Sequence, residues 1–149
     1  MEQYVAKSVV QELLRSDLKD PLKPRTLTIT TLIADMEAYT TQVSQLSITE
    51  SAQLTHDFLE CLTAPVLDHG GTLDKYTGDG LVAFWGAPLA IERHADLAIS
   101  AAIQMVHNVK RFSQLRQAKG LQPVRVRIGI ESGVAIAGDF GSSMRSIYT

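Results

Sequence analysis

The sequence predicts an α+β domain with a ferredoxin-like βαββαβ core, the split βαβ arrangement, followed by one more strand. Three observations predict this fold. Runs rich in Thr, Ile and Val alternate with two long stretches of helical periodicity. A Gly-Asp turn joins two of these runs as a hairpin. The 149 residues, 45% of them hydrophobic, suit a single packed domain.

The composition excludes several classes of protein. The net charge is −2, from 14 basic and 16 acidic residues, so no basic excess indicates a nucleic-acid partner. The single cysteine, Cys61, excludes an intramolecular disulfide and fits a reducing compartment. No run reaches the roughly 18 apolar residues of a membrane span, and the N-terminus lacks a signal-peptide core. We therefore expect a cytoplasmic domain, with a membrane-anchored parent as one option.

The first 24 residues are predicted to form a helix and a linker. Apolar side chains recur at three- and four-residue spacing over 2–16, which predicts a short amphipathic helix. Two prolines in "DPLKP" end this pattern. The main domain is therefore expected over 25–149. It opens with "RTLTITTLIAD", an alternating run that predicts a strand over 25–35 with a buried end at Asp35.

The next segment predicts a helix and a hairpin. The helix is expected to begin with Thr49 as its cap and to end near Asp68. A capping box from Thr49 would need glutamate where Ala52 stands. Pro65 predicts a kink or a local break near the end of this helix. Strands over 72–77 and 80–85 then flank Gly78-Asp79, a pair typical of a type II′ turn.

A second long helix and a strand pair complete the predicted elements. The helix spans roughly 92–119, and Gly120 ends it. Residues 123–141 predict a strand, a Ser-Gly turn and a second strand. The helix residues expected on the inner face are Ala95, Ala98, Ile99, Ala102, Met105 and Val106.

Two carboxylates are the candidate chemistry. Asp35 ends the first strand and Asp79 lies in the hairpin turn, which a split βαβ sheet places beside that strand end. Carboxylates held together repel unless a cation lies between them, and Mg²⁺ prefers one or two carboxylates plus phosphates. The alternative is structural, because aspartate is common in turns and caps. The following "MEAYTT" leads into a helical turn, whose backbone N–H groups suit phosphate oxygens.

Four stretches carry a family resemblance. "TLIADMEAYT", "GGTLDKYTGDGLVAFWG", "VRVRIGIESGVAIAGDFGS" and "MRSIYT" resemble motifs of the class III nucleotidyl cyclases, the adenylyl and guanylyl cyclases. The resemblance covers about 25–149. The segment "EQYVAKSVVQELL" resembles the helix that leads into these domains in bacterial receptor cyclases.

The resemblance implies an adenylate cyclase of the bacterial type, which converts ATP into cyclic AMP and pyrophosphate at a homodimer interface. It implies two Mg²⁺ or Mn²⁺ ions per site, bound by Asp35, Asp79 and the carbonyl of Met36. The loop over 37–40 would hold the phosphates together with an arginine. The phosphate-binding residues that the resemblance implies are Ala38, Tyr39, Thr40 and Arg127.

The resemblance also implies that Lys75 and Thr149 bind the base and serve the active site of the partner protomer. Lysine has no acceptor for the guanine N1–H and amino groups, so the pair indicates ATP. With a two-residue turn, Lys75 is expected opposite Val82, on the face carrying Leu73 and Phe84. A lysine on an apolar face is costly without a partner.

The sequence departs from the family pattern in several places. Ile33, Met36 and Ala38 stand where Phe, Ile and Gly are usual, and Glu131 stands where many members have His. A Cβ at position 38 restricts the backbone if φ is positive. Family members continue past the last residue with a helix bearing Asn and Arg and then a phosphate-binding Lys. We therefore expect a truncated domain with little or no activity by itself, and an upstream regulatory or membrane region in its parent.

Three other functions are alternatives to an adenylate cyclase. A diguanylate cyclase would carry Gly-Gly followed by two acidic residues and Phe at the turn, whereas this turn reads "TGDGL". A pseudo-cyclase, acting as a dimerisation or nucleotide-binding module, is disfavoured by the retained acidic, lysine and arginine residues. An RNA-recognition sheet needs exposed aromatic side chains and a basic face, and neither is evident.

Overall fold

The computed structural model describes residues 25–137. The predicted helix at 2–16 and the predicted base-binding Thr149 lie outside the described residues. The elements in chain order are β1 (Arg25–Met36), α1 (Tyr39–Val43), α2 (Ile48–Asp68), β2 (Thr72–Tyr76), β3 (Gly80–Trp85), α3 (His94–Ala118) and β4 (Val126–Ala137).

The strands form a four-stranded antiparallel sheet in the order β2-β3-β1-β4. This order is the one that the ferredoxin-like βαββαβ prediction requires, so the predicted fold class is confirmed. The helices α2 and α3 pack against each other and against the sheet. None of the helices within 25–137 has the length and apolar content needed to cross a membrane.

The core lies between the two long helices and one face of the sheet. Along β1, Leu32 and Ala34 are fully buried, whereas Ile33 between them is 51% exposed. One face is therefore covered and the other is open, as the two-residue period of a strand dictates. The side chains that α2 and α3 contribute to the core are Leu54, Phe58, Leu62, Val66, Ala98, Ala101, Met105 and Val109.

The cap of α2 is Ser47, so the prediction of Thr49 was wrong. The Ser47 hydroxyl accepts the Glu50 backbone N–H at 3.1 Å. In return, the Ser47 N–H donates to Glu50 Oε1 at 3.1 Å. This reciprocal pair is a capping box, Ser-x-x-Glu, that begins two residues before the predicted position.

Pro65 does not break α2, which continues to Asp68. A proline inside a helix leaves the carbonyl four residues earlier without its N–H partner, and here that carbonyl belongs to Cys61. The Asn108 side chain of α3 donates to this carbonyl at 3.1 Å. A hydrogen bond between the two helices thus replaces the one that the proline removes.

The predicted inner face of α3 was partly wrong. Ile99 and Val106 are 49% and 47% exposed, whereas Ala101 and Val109, which were not predicted, are buried. The buried positions of α3 recur every three or four residues, and the first two of them, Ala98 and Ala101, are alanines. The helix packs against both α2 and β1, and the larger Ile99 and Val106 lie outside this buried stripe.

The strand pair predicted over 123–141 was also wrong. The structure has one strand, β4, which pairs with β1 in unbroken register and places Ser132 opposite Thr30. A 12-residue β1 offers partners along the whole of β4, so the chain extends through Gly133 instead of turning. The buried Thr30 hydroxyl contacts Ser132 Oγ and His94 Nδ1, both at 2.6 Å, and so joins β1, β4 and α3.

Candidate active site

Strand pairing brings the two candidate acidic residues next to each other. Asp35 of β1 lies opposite Gly80 of β3, and Asp79 directly precedes that glycine. The Met36 N–H donates to the Asp79 carbonyl at 3.1 Å, which fixes the hairpin turn against the end of β1. Asp35 and Asp79 are both half-buried. The backbones of the two acidic residues are therefore adjacent, as the split βαβ arrangement requires.

Gly80 makes this close approach possible, and the sequence reasoning missed it. A Cβ on Gly80 would lie 1.9 Å from the Ala34 carbonyl oxygen and 2.8 Å from the Asp35 Cα. Only glycine lets β3 pass so near β1 at this point. The available signal was the second glycine of "GDG", which the type II′ turn does not need.

The turn has the signs of φ that the predicted type II′ geometry requires. Gly78 has φ 71°, whereas Asp79 is not among the positive-φ residues. The Thr77 N–H donates to the Gly80 carbonyl at 2.8 Å across this turn. Gly78 thus supplies the turn, and the Asp79 side chain is not required for it.

Lys75 lies opposite Val82 as expected, but the prediction that Leu73 shares its face was wrong. The register shifts between Leu73 and Lys75, so Leu73 pairs with Ala83 and turns toward the core. This bulge separates Leu73 from the face that carries Lys75. The Lys75 side chain is exposed, so the desolvation cost expected for an apolar face does not arise.

Arg127 of β4 lies opposite Asp35 on the other side of β1. Its guanidinium donates to both carboxylate oxygens, with Nε–Oδ1 at 2.8 Å and Nη2–Oδ2 at 3.2 Å. The hydrogen bond and charge of Asp35 raise the pKa of Arg127, and Glu37 and Asp79 raise it further. Three carboxylates thus act on one guanidinium, which makes this end of the sheet an anionic site.

The loop after β1 leads into a helical turn as predicted. Ala38 has φ 55° and ψ 39°, the left-handed conformation that its Cβ disfavours. The helix α1 begins at Tyr39, and its first N–H groups lack intrahelical partners by geometry. The Tyr39 hydroxyl contacts Thr55 Oγ1 at 2.9 Å, so this side chain holds the loop on α2. Thr40 is exposed beside it.

The carboxylates fit a hard divalent ion. Within residues 25–137, no group of three or more His, Cys, Asp or Glu side chains is placed to hold a metal. Two carboxylates with a strand-end carbonyl are nevertheless the donor set that Mg²⁺ takes when phosphates and water complete its coordination. Asp35 is supplied by β1 and Asp79 by the hairpin turn beside it, and Met36 is adjacent to Asp35. This donor set therefore suits Mg²⁺ or Mn²⁺.

The fold and this site define a ferredoxin-like domain with an acidic pair at the β1–β3 junction. The family model of the adenylate and guanylate cyclase catalytic domain matches residues 23–148, and the chain belongs to this family.

Several known proteins are similar to the chain. Adenylate cyclase 1 of Rhizobium meliloti (strain 1021) is 29% identical over 146 residues, which cover 98% of this chain and 22% of the relative. An adenylate cyclase of Anabaena cylindrica is 29% identical over 121 residues, covering 78% of this chain and 23% of the relative. The chain thus spans less than a quarter of these relatives.

Two solved structures are also similar. The crystal structure of the adenylyl cyclase CyaB from P. aeruginosa has a TM-score of 0.80 and 29% identity, covering 86% of this chain and 67% of that one. The guanylyl cyclase Cya2 has a TM-score of 0.76 and 28% identity, covering 84% and 64%. Relatives with either base specificity therefore share this fold.

Proposed function

We propose that this domain belongs to an adenylate cyclase that converts ATP into 3′,5′-cyclic AMP and pyrophosphate. The ribose 3′-oxygen attacks the α-phosphorus, its proton leaves, and the bond from the α-phosphorus to the bridging oxygen breaks. The observation that carries the proposal is the pairing of Asp35 with Gly80, which holds Asp79 beside it. The adenylate cyclases among the relatives support it.

The metal ligands would be Asp35, Asp79 and the Met36 carbonyl, with two Mg²⁺ or Mn²⁺ ions per site. Bound ions would stabilise the attacking and the leaving oxygens of the displacement. Two observations support this role: both acidic side chains are half-buried, and the pairing of β1 with β3 places the turn that carries Asp79 beside Asp35. Their negative charge concentrates divalent cations at the place where the triphosphate would lie.

The phosphates would be held from two sides. Arg127 presents a planar guanidinium, which suits two phosphate oxygens at once. The first N–H groups of α1, following Ala38, supply donors that the helix does not use. We assign the backbone of residues 38–40 to this role rather than the Tyr39 ring, whose hydroxyl contacts Thr55.

Lys75 would recognise the base. Its ammonium group donates and cannot accept, so it suits adenine, whose ring nitrogens accept hydrogen bonds. Lys75 is exposed and lies two strands from Asp35 in the sheet. In a two-fold homodimer Lys75 and Thr149 would serve the partner's site, and the dimer would have two equivalent sites.

A pseudo-cyclase, meaning a nucleotide-binding or dimerisation module without catalysis, is the alternative. The observation that favours it is the ion pair of Arg127 with Asp35, which engages two of the proposed catalytic side chains with each other. The two functions differ in what a divalent metal should do. An enzyme needs the metal for turnover, whereas a binding module can retain the nucleotide without it.

The test measures ATP and GTP binding with and without Mn²⁺, together with cyclic AMP formation, in the full-length protein. We expect Mn²⁺-dependent binding that prefers ATP, and Asp79→Asn should reduce it at least about tenfold, as the loss of a charged ligand implies. Asp68→Asn is the matched control, because Asp68 is an exposed carboxylate at the far end of α2.

Lys75→Glu tests the base specificity separately. Glutamate can accept from guanine, so this variant should shift the preference from ATP toward GTP. ATP binding that ignores both Mn²⁺ and Asp79→Asn would instead establish the pseudo-cyclase. An unchanged base preference in Lys75→Glu would refute the role of Lys75 while leaving the metal site intact.

A further inference from the structure

The ion pair between Arg127 and Asp35 joins two side chains to which the proposed function assigns different roles, Asp35 as a metal ligand and Arg127 as a phosphate-binding residue. We propose that Arg127 occupies the metal ligand Asp35 in the metal-free protein, and that a divalent ion displaces it toward the substrate phosphates. The ion would therefore bind Asp35 and, in the same exchange, release Arg127 to bind the phosphates. This inference rests on the proposed function, because it assigns Asp35 to a divalent ion.

The geometry gives the two partners unequal freedom. Arg127 and Asp35 lie directly opposite each other on β4 and β1, so the pair forms without distortion of the sheet. The Arg127 side chain is 62% exposed, whereas that of Asp35 is 33% exposed. Asp35 is also held by β3 on its other side. The arginine is therefore the partner that can move.

The guanidinium and a metal ion compete for the same oxygens. Arg127 contacts both Oδ1 and Oδ2 of Asp35, so no oxygen of this carboxylate lacks a guanidinium contact. A divalent ion that binds Asp35 must displace these guanidinium contacts, and it is also repelled by the positive charge of Arg127. Because its charge is twice that of the guanidinium, the ion has the stronger Coulomb attraction to the carboxylate.

The displaced arginine would remain at the site. Glu37 and Asp79 are the other carboxylates whose charges act on Arg127, with Glu37 the stronger of the two. Asp79 would be engaged by the ion, which leaves Glu37 to attract the guanidinium. Arg127 would then lie at the edge of the metal site, where a triphosphate bound to the ions would reach it.

The exchange has a thermodynamic consequence. Without nucleotide, Arg127 should weaken metal binding, because the ion must break an existing pair. With nucleotide, Arg127 gains phosphate partners, so the same residue should strengthen the complex. Metal and nucleotide would thus bind with positive coupling, and linkage requires that each increases the affinity of the other equally.

The test titrates Mn²⁺ into the nucleotide-free protein and follows free Mn²⁺ by electron paramagnetic resonance. Arg127→Gln should bind Mn²⁺ about two- to fivefold more tightly than the wild type, the range that the strength of exposed ion pairs implies. The same variant should bind ATP with Mn²⁺ more weakly. Arg125→Gln is the matched control, because this substitution removes the same charge. Arg125 itself is exposed and makes no ion pair within residues 25–137.

A spectroscopic measurement reports the exchange directly in the unmutated protein. The ¹⁵N–¹H signal of Arg127 Nε, assigned by its absence in Arg127→Gln, should shift when Mg²⁺ is added without nucleotide. A signal that stays constant while Mg²⁺ saturates the site would overturn the exchange. Because this measurement uses the wild type, it does not depend on the folding of a variant.

The outcomes separate this inference from the proposed function. Mn²⁺ binding that is lost in Asp79→Asn but is unchanged or weakened in Arg127→Gln would leave the metal site in place and overturn the exchange. An equal gain in Arg127→Gln and Arg125→Gln would also overturn it, because net charge alone would then explain the change. Absence of Mn²⁺ binding to every nucleotide-free form would also overturn the exchange, whereas the metal site of the proposed function is refuted only if ATP binding does not depend on Mn²⁺.

Discussion

Replacing Ala38 with glycine is expected to stabilise the domain. Ala38 adopts φ 55° and ψ 39° between β1 and α1, and it is the only non-glycine residue with positive φ within residues 25–137. In this conformation the alanine Cβ crowds the following carbonyl, whereas glycine has no such contact. The substitution keeps the observed backbone and removes its strain.

The magnitude follows from two opposing terms. Left-handed geometry costs an alanine about 1–2 kcal/mol. Glycine offsets about 0.4–1 kcal/mol of this gain, because the unfolded chain has more conformational entropy with glycine than with alanine. The net effect on the free energy of unfolding should be a gain of about 0.5–1 kcal/mol. At about 2–4 °C per kcal/mol for a chain of this size, the melting temperature should rise by about 1–4 °C.

Urea unfolding followed by circular dichroism measures this effect. Ala64→Gly is the matched control, because Ala64 is an exposed residue inside α2 with helical geometry. The same chemical change should destabilise there by about 1 kcal/mol. The reasoning would be refuted if Ala38→Gly also lowered the free energy of unfolding, since strain at Ala38 requires the two signs to differ.

Three further predictions concern the frame of the site. Gly80→Ala should destabilise by about 3 kcal/mol, the upper range for overpacking, whereas Gly129→Ala should be nearly neutral because its Cβ would meet open space; equal melting temperatures would contradict this. Ser47→Ala should cost about 1 kcal/mol through the lost cap, and Thr49→Ala should stay within about 0.5 kcal/mol in urea unfolding. Burial raises the pKa of Asp74, so the folded state binds the proton more tightly and its stability falls as pH rises from the ordinary aspartate pKa of about 3.9. Asp74→Asn should therefore raise the melting temperature at pH 7 and lose this advantage near pH 3; a gain that does not depend on pH would contradict it.

Local sequence signals were sufficient for the order of the elements. The period of apolar residues, the prolines and the Gly-Asp turn predicted the strands, the long helices and the fold class, because each signal acts within a few residues. The continuity of β4 could not be predicted in this way. Its Ser-Gly pair resembles a turn, but a 12-residue β1 provides partners that keep it extended. The buried side of α3 likewise depends on how the helix packs against α2 and β1, which join it from distant parts of the sequence.

The same distinction applies to the candidate site. The acidic pair and Lys75 were predicted from motifs, and β-sheet register was enough to place Asp35 beside the hairpin. The bulge that turns Leu73 away from Lys75 has no local sequence signal that distinguishes it from a regular strand. The contact of Arg127 with Asp35 joins residues 92 positions apart, so only the pairing of β4 with β1 reveals it.

The register of β1 determines whether this site exists at all. Asp35 lies between two partners, Gly80 on β3 and Arg127 on β4. A shift of either strand by one residue would turn its side chains to the opposite face of the sheet. On the β3 side, glycine permits the close approach and a backbone hydrogen bond from Met36 to Asp79 fixes it. On the β4 side, the strand pairs along the whole length of β1. The structural contacts that specify the sheet are therefore also those that bring the acidic pair and the arginine together, so variants that loosen either register should lose metal binding before they lose the fold.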